Sequence, residues 1–176
     1  MKYFLMTFFA ATLLFMSAAQ AQTSIAVVDV DRILAESKVS VALNTKRDAA
    51  RAELLSSLSK KEQGLRDQGK SIMEKRGKVT EEELVTLQKD YEGKLLETRK
   101  LAQKQKAAFE KASEISLLKL KSYISDTVQK IAQEKNYDLV ISSRDVITGQ
   151  NDLDITKEVL ERMNTENTTI PFSMSE

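Results

Sequence analysis

Three hydrophobic periods follow one another along the chain. From Ile25 the residues Ile-Ala-Val-Val-Asp-Val are almost continuously apolar and β-branched, the pattern of a strand covered on both faces. Asp31 is expected to cap a short helix from Arg32 to about Ser37, and a long helical tract is expected to begin near Val41. A second strand is read at Tyr137 to Ser142, around Leu139, Val140 and Ile141. A third, shorter one is read at Val146 to Thr148, ending at the turn residues Gly149, Gln150, Asn151 and Asp152. Thr156 is placed as the N-cap of a last helix to about Met163, with Ile155 and Leu160 as a hydrophobic staple. Polar residues from Asn164 onward and Pro171 predict a flexible tail over residues 165–176.

Between the two main strands the apolar residues thin to a narrow stripe. In the outgoing limb Leu43, Ala50, Leu54, Leu58, Leu65 and Ile72 recur at intervals of four or seven, but Lys61 and Gln68 occupy the intervening seam positions. A break is expected over Gly69 to Val79, followed by a capping box with Thr80 as cap and Glu83 at the third helical position. Leu84, Leu87, Tyr91, Leu95, Thr98, Ala102, Phe109 and Ala112 then carry the stripe back. This predicts a two-helix hairpin with a thin seam, its limbs reaching roughly 40 to 60 Å at 1.5 Å per residue. After Glu114 the stripe widens through Ile115, Leu117, Leu118, Leu120, Tyr123, Ile124, Val128 and Ile131, where the returning helix is expected to enter a core.

The fold class so read is α+β, mostly α: an arm over residues 46–121 on a small β-containing body built from residues 22–45 and 122–164. That body is small for a self-sufficient core and leaves strand edges open. It is therefore expected to form an obligate homo-oligomer through Ile25, Val27, Val28, Val30, Leu139, Val140 and Ile141. Ahead of it, Lys2, the apolar run Tyr3 to Met16 and the small-residue site Ala19-Gln20-Ala21 form the pattern of a secretory signal peptide over residues 1–21, cleaved after Ala21.

Composition narrows the chemistry. The 176 residues include no His and no Cys, so thiolate or histidine metal sites, Ser-His-Asp triads, disulfides and lipid attachment at a cysteine are excluded within the chain. Asp29 with Asp31 and Asp152 with Asp154 are each two apart, but they lack a third ligand or calcium-loop spacing. The Ser56 to Lys61 segment has no burial to activate a lysine. No catalytic residue, metal or cofactor is assigned.

Charge is segregated. Residues 46–121 carry a net +6, residues 22–45 a net −1 and residues 122–176 a net −5. The arm is positive and the body negative. Its tip gathers Lys70, Lys75, Arg76 and Lys78 beside Leu65, Ile72 and Met73, the candidate contact residues, and suits weak contact with an anionic membrane surface. Nucleic acid is not an expected partner, because acids dilute the bases at almost every turn and the arm's aromatics are few.

Taken in order, Ile25-Ala-Val-Val-Asp-Val-Asp-Arg-Ile-Leu, the charged hairpin, Ile131-Ala-Gln-Glu-Lys-Asn-Tyr-Asp-Leu-Val-Ile and Leu153-Asp-Ile-Thr-Lys-Glu-Val-Leu resemble the Skp/OmpH family of periplasmic chaperones. The resemblance implies a jellyfish-like trimer whose arms enclose a cavity. It also implies ATP-independent holding of unfolded outer-membrane or periplasmic proteins, with the tip residues named above as client contacts. The competing reading is a structural coiled-coil spacer or adaptor in the cell envelope. A spacer needs continuous seams, and Lys61, Gln68 and the arm glycines 64, 69, 77 and 93 favour the holdase.

Overall fold

In the computed structural model, which describes residues 23–166 and 168–174, β1 (Ile25–Val28) and β2 (Leu139–Ser142) pair in parallel although the whole hairpin lies between them. The signal peptide expected over residues 1–21 lies outside the described residues. A reciprocal pair sets the sheet's register: the Ser24 amide donates to the Asp138 carboxylate and the Asp138 amide to the Ser24 carbonyl, both at 2.8 Å. Ile25 thus stands opposite Leu139, Ala26 opposite Val140, Val27 opposite Ile141 and Val28 opposite Ser142.

The strand expected at Val146 to Thr148 is not formed, and Ile147 there is fully exposed. The third position beside β1 is taken instead by Asp154, which bridges to Val27, while the Ile155 amide donates to the Val27 carbonyl at 2.9 Å. The physical reason lies just downstream. Ile155, Val159, Leu160 and Met163 complete the core, which draws the residues ahead of them against the free edge of β1.

Helix α1 (Val30–Glu36) begins two residues earlier than expected, because Asp29 is the cap: its carboxylate accepts from the Arg32 amide at 2.9 Å. Asp31 is thereby freed to form a bidentate ion pair with Arg144, and Val30 is helical rather than part of the strand. Ser37 alone is extended (φ −66°, ψ 140°). It closes α1 and caps α2 (Lys38–Lys75), its hydroxyl accepting from the Ser40 amide at 3.3 Å.

Helices α2 and α3 (Glu81–Lys135) have 38 and 55 residues, about 57 and 82 Å of helix. The break between them is narrower than the expected Gly69 to Val79. Gly69 stays helical beside the Tyr91 ring, which a Cβ there would meet at ordinary van der Waals distance, 3.5 Å from the ring's oxygen. Gly77 makes the turn at φ +79°, a backbone state that few other residues accept. Thr80 then caps α3 as expected, accepting from the Glu83 amide at 3.3 Å. At its far end α3 stops at Asn136 in the left-handed region (φ 53°), with the Tyr137 amide bonded to the Ala132 carbonyl at 2.9 Å.

Helix α4 (Thr156–Thr165) is not capped by Thr156. The Thr156 hydroxyl faces back to the sheet and accepts from the Asp29 amide at 2.8 Å, while the Asp154 carboxylate takes the Thr156 amide at 2.8 Å. One core joins all these pieces: Ala26 and Val28 from β1, Ile33 from α1, Val39 and Leu43 from α2, Leu120, Ile124 and Ile131 from α3, and the apolar face of α4. Two expectations are corrected. Ile115, Leu117 and Leu118 point outward rather than into this core. The tail is packed, not free: Ile170 is buried in the core and Phe172 packs against it.

Candidate functional site

The seven expected oligomerisation residues divide by strand parity. Ala26 and Val28 on β1, and Val140 on β2, face the chain's own helices. Val28 and Val140 are therefore internal packing, and Val30 also packs on the core from the first turn of α1. Ile25 and Val27 share the opposite face with their partners Leu139 and Ile141. That face is incompletely covered: Ile25 is 36% and Leu139 49% exposed, while Val27 and Ile141 are half-buried. Four apolar side chains in register on a partly exposed sheet face form a ready interface.

The arm presents a different surface. Leu65, expected among the contact residues, is buried between the helices and serves the hairpin itself. Ile72 is half-buried, while Met73, at 78%, and Lys70, Lys75, Arg76 and Lys78 are exposed at the tip. Where Lys61 and Gln68 interrupt the seam, α2 and α3 part around a cavity of about 340 Å³ lined by Lys61, Gly64, Leu65, Gln68, Lys94 and Leu101. The gap is spanned by Lys94, which donates to the Gln68 carbonyl at 3.3 Å. Nearer the body a larger cavity, about 520 Å³, lies among Leu54, Leu55, Leu58, Ala102 and Phe109, with Lys106 at its rim.

Sequence reasoning missed three further exposed apolar residues of the limbs: Leu55, Val85 and Leu96, each more than half exposed. The signal was present. Each is the second member of an apolar doublet, Leu54-Leu55, Leu84-Val85 and Leu95-Leu96, and successive residues of a helix point about 100° apart. A narrow seam can hold one of the two, so the other must face outward.

The body's acidic surface is tied down by ion pairs between α3 and α4. Arg162 grips Glu134 through two hydrogen bonds of 2.6 Å, and Lys135 donates to Glu158 at 2.6 Å. The Arg162 hydrogen bonds hold the Glu134 carboxyl below the usual carboxylate range, and Glu158 pushes the Lys135 ammonium up. Burial raises the Tyr123 phenol, which donates to Glu166 at 2.9 Å. The closely spaced carboxylates are likewise used structurally: Asp29 caps, Asp31 pairs with Arg144 and Asp154 holds Thr156.

A small two-layer body with a partly exposed sheet face, bearing a hairpin arm longer than the body itself, defines a class of armed α+β proteins. The chain belongs to the OmpH-like family: the family model described as "Outer membrane protein (OmpH-like)" matches residues 24–163. Among solved structures it is similar to a candidate OmpH-like outer membrane chaperone from Caulobacter crescentus CB15. That likeness has a TM-score of 0.80 and 15% identity, and covers 89% of this chain and 92% of the other. Comparison with curated proteins found no match. The resemblance and the mostly helical fold read from the sequence are borne out.

Proposed function

We propose that this protein is a periplasmic holdase that binds unfolded outer-membrane proteins between its arms, without nucleotide, and keeps them from aggregating. The observation that carries the reading is the arm surface, where isolated exposed apolar residues, Leu55, Met73, Val85 and Leu96, are interspersed with an excess of basic ones. Such a surface offers many weak contacts and no fixed pocket, which suits a client without fixed structure. Joining several arms on one body multiplies those contacts by avidity. The partly exposed face of Ile25, Val27, Leu139 and Ile141 supports a homotrimer in which three such faces meet. Family membership and the export pattern of residues 1–21 support the periplasm as the compartment.

The test is to dilute a urea-unfolded outer-membrane β-barrel into buffer with and without residues 22–176 and to follow light scattering. One trimer per client should suppress the scattering. Undiminished scattering at that ratio would favour a coiled-coil spacer instead.

A further inference from the structure

The chain continues past residue 163, where the family match ends, into a segment that turns back along the arm. Its side chains alternate: Ile170 is buried, Pro171 exposed, Phe172 half-buried, Ser173 exposed and Met174 half-buried. That is the in-and-out pattern of an extended strand. Ile170 sits in the body core, Phe172 meets the Phe109 ring edge-on at 5.7 Å, and Met174 closes a cavity of about 240 Å³ with Ala50, Glu53, Leu54, Ser57 and Gln105. The spacing explains the fit. Two residues of extended chain advance about 6.6 Å and four residues of helix about 6 Å, so alternate tail side chains fall in step with the Gln105, Phe109, Ser113 row of α3.

Among the described residues, none from Thr168 to Met174 shares a backbone–backbone hydrogen bond with the rest of the chain, and Pro171 has no amide to donate. Side chains alone hold the segment. It is also an imperfect occupant: among the described residues, the Gln105 side-chain oxygen beneath Met174 and the Ser113 hydroxyl on the same row find no hydrogen-bond partner. A chain with a donor at either level would fit the groove better.

We infer that the α2/α3 groove at the base of the arm is a binding site for extended segments carrying apolar side chains at alternate positions. In this inference Phe172 to Met174 is a tethered occupant that such segments displace. The inference rests on the holdase reading for the identity of the incoming chain. Alternation of this kind is what an unfolded membrane β-strand offers, and a groove that reads only side chains at every second residue accepts it whatever the sequence between.

The test is fluorescence anisotropy with a short labelled peptide alternating Ile, Phe or Met with Ser or Thr, against a control of equal composition with its apolar residues in one block. Three proteins are compared: the wild type, a Phe172→Ser/Met174→Ser variant that keeps Ile170 in the core, and a Ser57→Cys/Met174→Cys variant closed with a short bismaleimide linker. The protein has no other cysteine. Circular dichroism melting verifies that each is folded.

If the tail covers the groove about nine-tenths of the time, freeing it tightens the alternating peptide about tenfold. Closing it abolishes binding, and the block peptide does not respond. Equal affinity in all three proteins, or equal tightening of the block peptide, overturns the inference. Aggregation suppression is measured on the same preparations. If suppression survives and the peptide affinities are equal, only the groove assignment falls. If the peptide responds and no suppression occurs, the groove stands and the holdase reading falls.

Discussion

Leu139→Asp should dissociate the protein. Leu139 is 49% exposed in the single chain, so about half of the roughly 1.5–3 kcal/mol gained by burying a leucine is still available to association. That is about 1 kcal/mol per subunit and about 3 kcal/mol for a trimer. Leu139→Ala should therefore weaken the association constant about a hundredfold, at 1.4 kcal/mol per factor of ten. Aspartate forfeits the same burial and adds an unpaired carboxylate to each apolar face, at a cost of several kcal/mol apiece. Analytical ultracentrifugation at micromolar concentration should find a single large species for the wild type and only small species for Leu139→Asp. Ile147→Asp is the control, since Ile147 is fully exposed on a loop and adds the same charge away from the sheet. If Leu139→Asp sediments like the wild type, or if Ile147→Asp dissociates equally, this sheet face is not the assembly surface.

Three further outcomes are expected. Replacing Leu55, Val85 and Leu96 together with Ser should cut client affinity at least tenfold, each residue forfeiting part of an apolar contact of about 1 kcal/mol, while the melting curve stays put because all three point outward. A large fall in melting temperature would show that they support the hairpin instead. Glu134→Gln should cost stability in a pH-dependent way. The Glu134 carboxyl is depressed by Arg162, so its contribution is present above the unfolded carboxylate value and vanishes as pH falls through the lower folded value. The gap in melting temperature from the wild type should be level above the ordinary carboxylate range and close as pH falls through and below it; a constant gap would refute the ion pair's role. Gly64→Ala and Gly93→Ala meet nothing within 4 Å of the new Cβ, so each should stabilise its helix by about 0.5–1 kcal/mol. They should also slow hydrogen exchange along the arm, and unchanged exchange would show that these glycines do not set its mobility.

What the sequence disclosed follows from how local each signal is. The hairpin, the Thr80 cap and the two main strands are written in runs of neighbouring residues, and all formed as expected. Boundaries decided by a competition between neighbours were not legible: Asp29 and Asp31 are equally good caps on paper, and in the fold Asp29 caps while Asp31 pairs with Arg144, far along the chain. The third ladder position went to Asp154 because the core needs of α4 outweigh the β-propensity of Val146 to Thr148. Leu65 and the tail were misjudged for a related reason. Whether an apolar residue on a thin seam is a contact or a core residue depends on its phase around the helix, and a polar segment with three alternating apolar side chains finds a groove only if a groove lies beside it.

The thin seam and the packed tail make one arrangement. The seam is interrupted at Lys61 and Gln68 in the distal arm, and the body core takes in α2 only up to Leu43 and α3 only from Leu120. Between them Ala50, Leu54, Leu58, Ala102, Phe109 and Ala112 carry the seam. Phe172 and Met174 sit on that stretch, adding apolar contact to the part of the seam just beyond the body core. On the proposed reading, a client segment that displaced them would supply the same contact in their place. The base of the arm would then stay closed with either chain bound, while Met73 and the basic cluster stay exposed at the tip.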